Sequence, residues 1–382
     1  MTFLHLLQRL FALLSLAILA VGGFLLWSWS DQRDEAFGWA KDDRWLYLGA
    51  FLLAWSFVGG FILPHLLAKP GHGPHMKRGH VREVTGADGS RLHVESFGPQ
   101  DAPAVILTHG WGLDLTVWGY LVDDLAERFN VVTWDLPGLG RSGQPSDGHY
   151  DMDRLAGDLN AVLETVRGRP AVLAGHSIGG MITETFCRDH PEKLGREVKG
   201  LVLLNTTHLD PTKTTFAGSI VSRLKPVLDP MLKLDIALSP LVWLLNWQSY
   251  LSGSTHMAVR IGGFSKRVNR GEVDLVARLS TKHSPAVQAK GILAMERWDV
   301  TGSLPVVVVP TLVLAGRQDL VTKCEAGETI AGLIPRAQFV AFDEAGHGGF
   351  LERCKSYGHV IADFVEQVLP SPDALATRTA AE

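Results

Sequence analysis

Two stretches near the N-terminus admit very few environments. Residues 10–29 (LFALLSLAILAVGGFLLWSW) run without a charge for 20 residues, and residues 45–68 (WLYLGAFLLAWSFVGGFILPHLLA) for 24. At 1.5 Å per residue, each is long enough to cross a hydrocarbon core of about 30 Å. The other homes for such runs are a secretory signal, for which Ala17 to Ala20 offers a weak cleavage site, and a buried core helix. Trp27 and Trp29 close the first run, and Trp45 and Tyr47 open the second; these amphipathic rings favour the headgroup level of a bilayer. The reading is therefore a hairpin of two membrane helices in an anchor over residues 1–69. Arg9 precedes the first span and Lys69, Lys77, Arg78 and Arg82 follow the second, while the 30–44 loop sets Arg33, Lys41 and Arg44 against five acids. Basic flanks stay on the cytoplasmic side, so both ends and the rest of the chain are expected there.

Residues 70–80 contain Pro70, Gly71, Gly73, Pro74 and Gly79 and read as a linker. Its histidines (His72, His75, His80) have no acidic or cysteine partner nearby, which favours a basic segment lying against headgroups over a metal site. Three cysteines without C-x-x-C spacing suggest neither a disulfide framework nor structural zinc, and no metal site is expected. A net charge of −4 gives no reason to expect nucleic acid as a partner.

From residue 81 the pattern changes. A hairpin is expected from 81–85 and 91–96 around Asp88-Gly89. Strands at 104–108, 131–134, 171–174, 201–204, 311–315 and 338–342 then alternate with helices at 115–129, 152–166, 178–190, 325–333 and 351–368. Such alternation specifies an α/β fold, a mostly parallel sheet covered by helices on both faces. Residues 207–303 interrupt it with a Leu-, Trp- and Pro-rich stretch that reads as a helical cap between two core segments, 81–206 and 304–370, with a tail at 371–382. The other reading of that stretch is a helical domain apart from the site.

Gly175-His176-Ser177-Ile178-Gly179 directly follows one strand and precedes a helix, the context that a nucleophile elbow requires. A serine hydroxyl is a poor nucleophile until a base removes its proton, so a histidine and an orienting carboxylate are expected. His347, in a glycine-rich turn past the last strand, is the candidate base. Asp319, just past TLVLA, is the candidate acid, with Asp210 as the alternative. The oxyanion hole is assigned to the backbone N–H groups of Ile178 and Trp111, the latter in His109-Gly110-Trp111-Gly112.

These segments together, HGWG, DLPGLGRSG, GHSIGG, GRQD and AGHGGFLE, resemble the α/β-hydrolase superfamily over about residues 81–370, specifically its capped branch of esterases and monoacylglycerol lipases. The resemblance implies the α/β-hydrolase fold with a helical cap, and a Ser177–Asp319–His347 triad without a cofactor. It also implies that Asp135 and the loop after it are scaffold. Epoxide hydrolases of that superfamily carry aspartate where Ser177 stands, so an acyl-serine is expected. A hydrophobic ester or lipid presented by the bilayer is the expected substrate. The runners-up are a thioesterase, a cofactor-free perhydrolase, a C–C hydrolase and a non-catalytic scaffold. Substrate contacts are expected from His109 and Gly110, and from Leu241, Leu244 and Leu245, which share a helical face of the cap. Because the spans lie outside the expected body, their removal is expected to leave a soluble enzyme.

Overall fold

The computed structural model describes residues 2–31 and 43–369, so most of the 30–44 loop, Arg33 and Lys41 included, and the 371–382 tail lie outside the described residues. Eight strands form one sheet: β1 (His80–Thr85), β2 (Arg91–Phe97), β3 (Ala104–Thr108), β4 (Asn130–Trp134), β5 (Ala171–His176), β6 (Val198–Leu204), β7 (Thr311–Gly316) and β8 (Ala337–Phe342). Their spatial order is β1-β2-β4-β3-β5-β6-β7-β8. β1 and β2 form the hairpin, with Thr85 opposite Arg91 and Gly89 at a φ of 85° in the turn. β2 is antiparallel to β4, and every later pairing is parallel.

The helices, in chain order, are α1 (Thr2–Ser30), α2 (Asp43–Leu67), α3 (Gly119–Leu125), α4 (Met152–Glu164), α5 (Ile178–Asp189), α6 (Pro211–Thr214), α7 (Gly218–Ala237), α8 (Ser239–Leu251), α9 (Ser254–Gly263), α10 (Arg270–Lys282), α11 (Pro285–Met295), α12 (Cys324–Leu333), α13 (Gly349–Glu352) and α14 (Cys354–Val368). Strand side chains alternate between faces, and the core divides accordingly. Ala104 and Ile106 pack with Leu155, Leu159, Ile182 and Phe186 of α4 and α5. Val105 and Leu107 pack with Leu121, Leu125, Ile361 and Phe364 of α3 and α14. Helices α6 to α11 occupy the stretch between β6 and β7.

Two expected helices are broken, each by a carboxylate. The 115–129 stretch begins as a tight 3-10 turn, Leu115–Trp118, because Asp114 accepts the Thr116 N–H at 3.0 Å and Asp135 accepts that of Leu115 at 2.8 Å. Only α3 follows, ending before Phe129. The 351–368 stretch divides at Arg353 into α13 and α14, where Glu352 turns inward to accept the N–H groups of Ser265 (2.8 Å) and Gly346 (2.5 Å).

Helices α1 and α2 are long and apolar enough to cross a membrane. The larger surprise is what the first half of α1 touches. His5 and Arg9 both reach Asp235 of α7, at 3.0 and 3.1 Å, and Arg9 donates to Asn246 of α8 at 2.9 Å. Ser15 bonds to Gln248 at 2.8 Å and to Ser252 at 2.6 Å. At the C-terminal end of α2, the Leu67 carbonyl accepts from Arg260 of α9 at 3.0 Å. The expectation that the spans lie outside the body is therefore corrected: Arg9 is a tether into the cap as well as a basic flank. Deleting residues 1–68 is accordingly expected to bare the apolar side of α8 and α9, lower the Tm by at least about 5 °C and promote aggregation. Thermal unfolding and size-exclusion chromatography measure this. A monodisperse truncated chain with an unchanged Tm would contradict it.

Candidate active site

Ser177 occupies the single residue between β5 and α5, with φ 55° and ψ −120°. A non-glycine residue there stores about 1–3 kcal/mol of backbone strain. Close packing enforces the turn: a Cβ on Gly175 would strike the Gly179 carbonyl, and one on Gly179 would strike the Thr108 carbonyl. The Ser177 N–H is held by the Leu204 carbonyl at 3.0 Å, and its own carbonyl accepts from Thr206 at 2.7 Å.

Three loops at the C-terminal ends of β5, β7 and β8 bring the expected trio together. His347 Nε2 lies 3.0 Å from Ser177 Oγ, and His347 Nδ1 lies 2.9 Å from Asp319 Oδ2. With Nδ1–H donating a hydrogen bond to the carboxylate, Nε2 is the acceptor for the serine proton. Burial works to raise the Asp319 carboxyl, but His347 beside it, with hydrogen bonds from Asn205 and Thr322, outweighs burial and holds it below the ordinary carboxylate value. Its Oδ1 accepts the N–H groups of Val321 (2.7 Å) and Thr322 (2.9 Å). Asp210, the alternative acid, caps α6 through the Thr212 N–H at 2.9 Å and pairs with Lys225 at 2.8 Å.

Ile178 is the first residue of α5, where backbone N–H groups have no acceptor within the helix. Trp111 lies in the turn after β3 and lines the same pocket as Ser177, His347 and Gly110. Its indole donates to the Gln288 carbonyl at 3.0 Å, tying this turn to α11. His109 does not reach the pocket, which corrects its expected substrate role: its Nε2 accepts the Leu136 N–H at 3.0 Å and its Nδ1 bonds the Gly110 carbonyl at 2.8 Å. A fully buried imidazole with both nitrogens satisfied braces the turn instead. Asp135 is likewise spent on backbone, accepting from Leu115 and Arg141 at 2.8 Å each, while burial pushes its carboxyl up to about 6.

The cap residues are also corrected. Leu241 and Leu244 are 53% and 60% exposed, and neither they nor Leu245 line the pocket. The side of α8 that packs inward carries Val242 and Ser249, so the Leu face turns outward. The apolar wall comes instead from Val259, Phe264, Val276 and Ile292, with Phe350 from the core. Leu4, His5 and Gln8 of α1, which the sequence reading missed, line the pocket as well. The signal for them was the set His5, Gln8, Arg9 and Ser15, polar residues within an apolar helix. Asn205 was missed as well. It follows β6 at a φ of 45°, and its side-chain amide donates to Asp319 at 3.0 Å and to the Gly346 carbonyl at 3.1 Å, joining the acid loop to the histidine loop. His176, next to Ser177, is held by the His347 carbonyl at 3.0 Å; burial first, then His347 itself, pushes it down to about 3, so it stays neutral. Among the described residues no group of three or more His, Cys, Asp or Glu side chains could hold a metal ion.

Residues 103–353 match the sequence profile of a family described as alpha/beta hydrolase fold. The AB hydrolase superfamily protein YisY of Bacillus subtilis is 29% identical over 72% of this chain and 94% of its own length. A pimeloyl-[acyl-carrier protein] methyl ester esterase of Nitrosomonas europaea is 26% identical over 68% of this chain and 94% of its own. Among solved structures, the esterase RhEst1 of Rhodococcus sp. ECU1013 superimposes with a TM-score of 0.62 at 23% identity, covering 75% of this chain and 99% of that one; this likeness speaks for the fold.

Two mutational outcomes follow from the geometry. Ser177→Gly is expected to remove activity and yet raise stability by about 1 kcal/mol, because glycine adopts the strained turn freely; a loss of stability in denaturant unfolding would contradict it. Asp319→Asn is expected to lower kcat by about 10³-fold or more, through loss of the oriented, stabilised imidazolium, whereas Asp210→Asn stays within a few-fold of the parent. The reverse ranking would reassign the acid.

Proposed function

The chain belongs to the alpha/beta hydrolase fold family, and from that premise we propose that it is a membrane-held serine hydrolase that cleaves carboxylic esters of hydrophobic acids through an acyl-Ser177 intermediate. The observation that carries this reading is the chain of contacts from Ser177 Oγ to His347 at 3.0 Å and on to Asp319 at 2.9 Å, set in a pocket walled by Leu4, Val259, Phe264, Val276, Ile292 and Phe350.

In the first step Ser177 Oγ attacks the ester carbonyl carbon while His347 Nε2 takes its proton. The carbonyl oxygen becomes an oxyanion, received by the N–H groups of Ile178 and Trp111 and by the positive end of α5. The Asp319 carboxylate stabilises the imidazolium and keeps its ring oriented. Collapse of the intermediate breaks the ester C–O bond, and the alcohol leaves with the proton from His347. Water then attacks the acyl-serine with His347 again as base, releasing the acid and restoring the Ser177 hydroxyl. None of these steps calls for a cofactor.

The membrane part of the reading rests on α1 and α2. Lys69, Lys77, Arg78 and Arg82 beyond α2 favour placing the catalytic body on the cytoplasmic face. An ester that partitions into lipid is concentrated at that surface, and the pocket wall built from α1 ties the anchor to the site.

A panel of p-nitrophenyl esters with acyl chains of increasing length tests the proposal. The full chain is expected to favour medium and long chains, and Ser177→Ala is expected to lose all hydrolysis and all labelling by a fluorophosphonate probe. Leu4→Trp, which thickens the α1 wall, is expected to lower kcat/KM for long chains by about tenfold relative to acetate, as a few lost methylene contacts would. Activity that survives Ser177→Ala would overturn the proposal. Faster cleavage of acyl thioesters than of oxygen esters would move it to a thioesterase.

A further inference from the structure

The outward face of the cap exposes a row of large apolar side chains. On α7, Ile220, Leu224, Val227, Met231 and Leu234 are exposed, and Leu238 directly after the helix continues the row. At 100° per residue these six fall within an arc of about 80°, roughly a quarter turn from the buried Val221, Leu228 and Leu232. Leu241, Trp243 and Leu244 of α8 are exposed as well.

The position of this face relative to α1 indicates what covers it. Phe216, just before α7, meets Phe3 with ring centroids 5.9 Å apart, and Asp235 near the end of α7 meets His5 and Arg9. A helix of 20 residues is about 30 Å long, whereas Phe3 to Arg9 spans only about 9 Å of α1. So α7 lies across the N-terminal end of α1, at the level where the apolar run of α1 begins.

Depth follows from the tethers. Ser15 is bonded to Gln248 and Ser252, so α1 stands clear of the cap only from about residue 16 to residue 29, or about 21 Å. On α2, Gly59 and Gly60 press against the backbone of residues 250–252, which leaves residues 45–58, again about 21 Å. Both fall short of a core of about 30 Å by roughly the same amount. The missing length is the part of α1 and α2 that runs beside α8, where Leu10, Leu13, Leu14, Phe61 and Ile62 still expose apolar side chains.

We propose that the outer face of the cap, formed by α7 and the start of α8, is seated in the interfacial layer of one membrane leaflet and that lipid chains cover its apolar stripe. This rests on reading α1 and α2 as membrane spans. Exposed Arg223 and Lys233 on α7 have stems long enough to reach lipid phosphates from such a position. The seating places the α1 wall of the pocket, Leu4 and Gln8, beside the leaflet that holds a hydrophobic ester.

The test uses the full chain in phosphatidylcholine–phosphatidylglycerol vesicles, in a Cys354→Ser background. Single cysteines replace Val227, Leu244, Phe51 and Asp101 in turn, each carries the fluorophore NBD, and retained fluorophosphonate labelling of Ser177 shows that each variant is folded. Where Val227→Cys or Leu244→Cys fails that check, Leu234→Cys or Leu241→Cys takes its place. The expected result is loss of fluorescence at 227 and 244 with lipids bearing a shallow doxyl group, loss at 51 with a deep doxyl group, and loss at 101 only with aqueous iodide. Iodide quenching at 227 and 244, with 51 still lipid-quenched, would overturn the seating and leave the spans intact. Protection from both quenchers would overturn it too, because the face would then be covered by a second copy or another protein. A position 51 that is silent to lipid would overturn the reading of the spans and the seating with it.

Discussion

The backbone strain at Ser177 is the feature around which the rest of the body is arranged. A serine at φ 55° persists only if the surrounding structure makes every relaxed alternative worse, and two strands and a helix do so from three sides. β3 supplies the Thr108 carbonyl against Gly179, β6 supplies the Leu204 carbonyl to the Ser177 N–H, and α5 begins at the next residue. The outcome is a hydroxyl raised at the sheet edge, next to a helix N-terminus. The loops after β7 and β8 deliver Asp319 and His347 to that point, and Asn205 after β6 fastens those two loops together. Few of these contacts are large in energy; their value lies in holding His347 within hydrogen-bond reach before any substrate arrives.

The anchor changes meaning once its contacts are known. A membrane helix joined by a free linker would affect only where the enzyme resides. Here α1 contributes Leu4, His5 and Gln8 to the pocket and is tied to α7 and α8 through Asp235, Asn246, Gln248 and Ser252. Asp235 serves His5 and Arg9 together, so loss of either partner would disturb the other. Helix α1, cap and pocket wall thus form one packed unit, so that under the proposed membrane seating one helix would set both the choice of substrate and the position in the bilayer.

Much of the body was legible in the sequence because its signals are local. Short β-rich runs alternating with amphipathic ones pointed to all eight strands to within a few residues, and GHSIG between a strand and a helix identified the turn at Ser177. What could not be read depends on what packs against what. Asp319 and Asp210 both follow buried strands, and only the fold shows one meeting His347 and the other capping α6. The spacing of Leu241, Leu244 and Leu245 marks a helical face without saying whether protein or lipid covers it, and that face points outward. His109 stands beside the oxyanion turn in sequence, yet its ring is used up on Leu136 and Gly110. Hydropathy recognised α1 by its composition, took Arg9 only as a basic flank and passed over His5 and Ser15, yet all three fix the helix to the cap.

The central claim, that Ser177 carries the acyl group of a hydrophobic ester, is tested most directly by trapping that intermediate. The full chain, mixed with p-nitrophenyl decanoate, quenched in acid within the first turnover and digested, is examined by mass spectrometry. The account predicts a decanoyl increment on the peptide that contains Ser177. An increment on any other residue, or turnover in the parallel assay with no acylated peptide at the quench time, would contradict it.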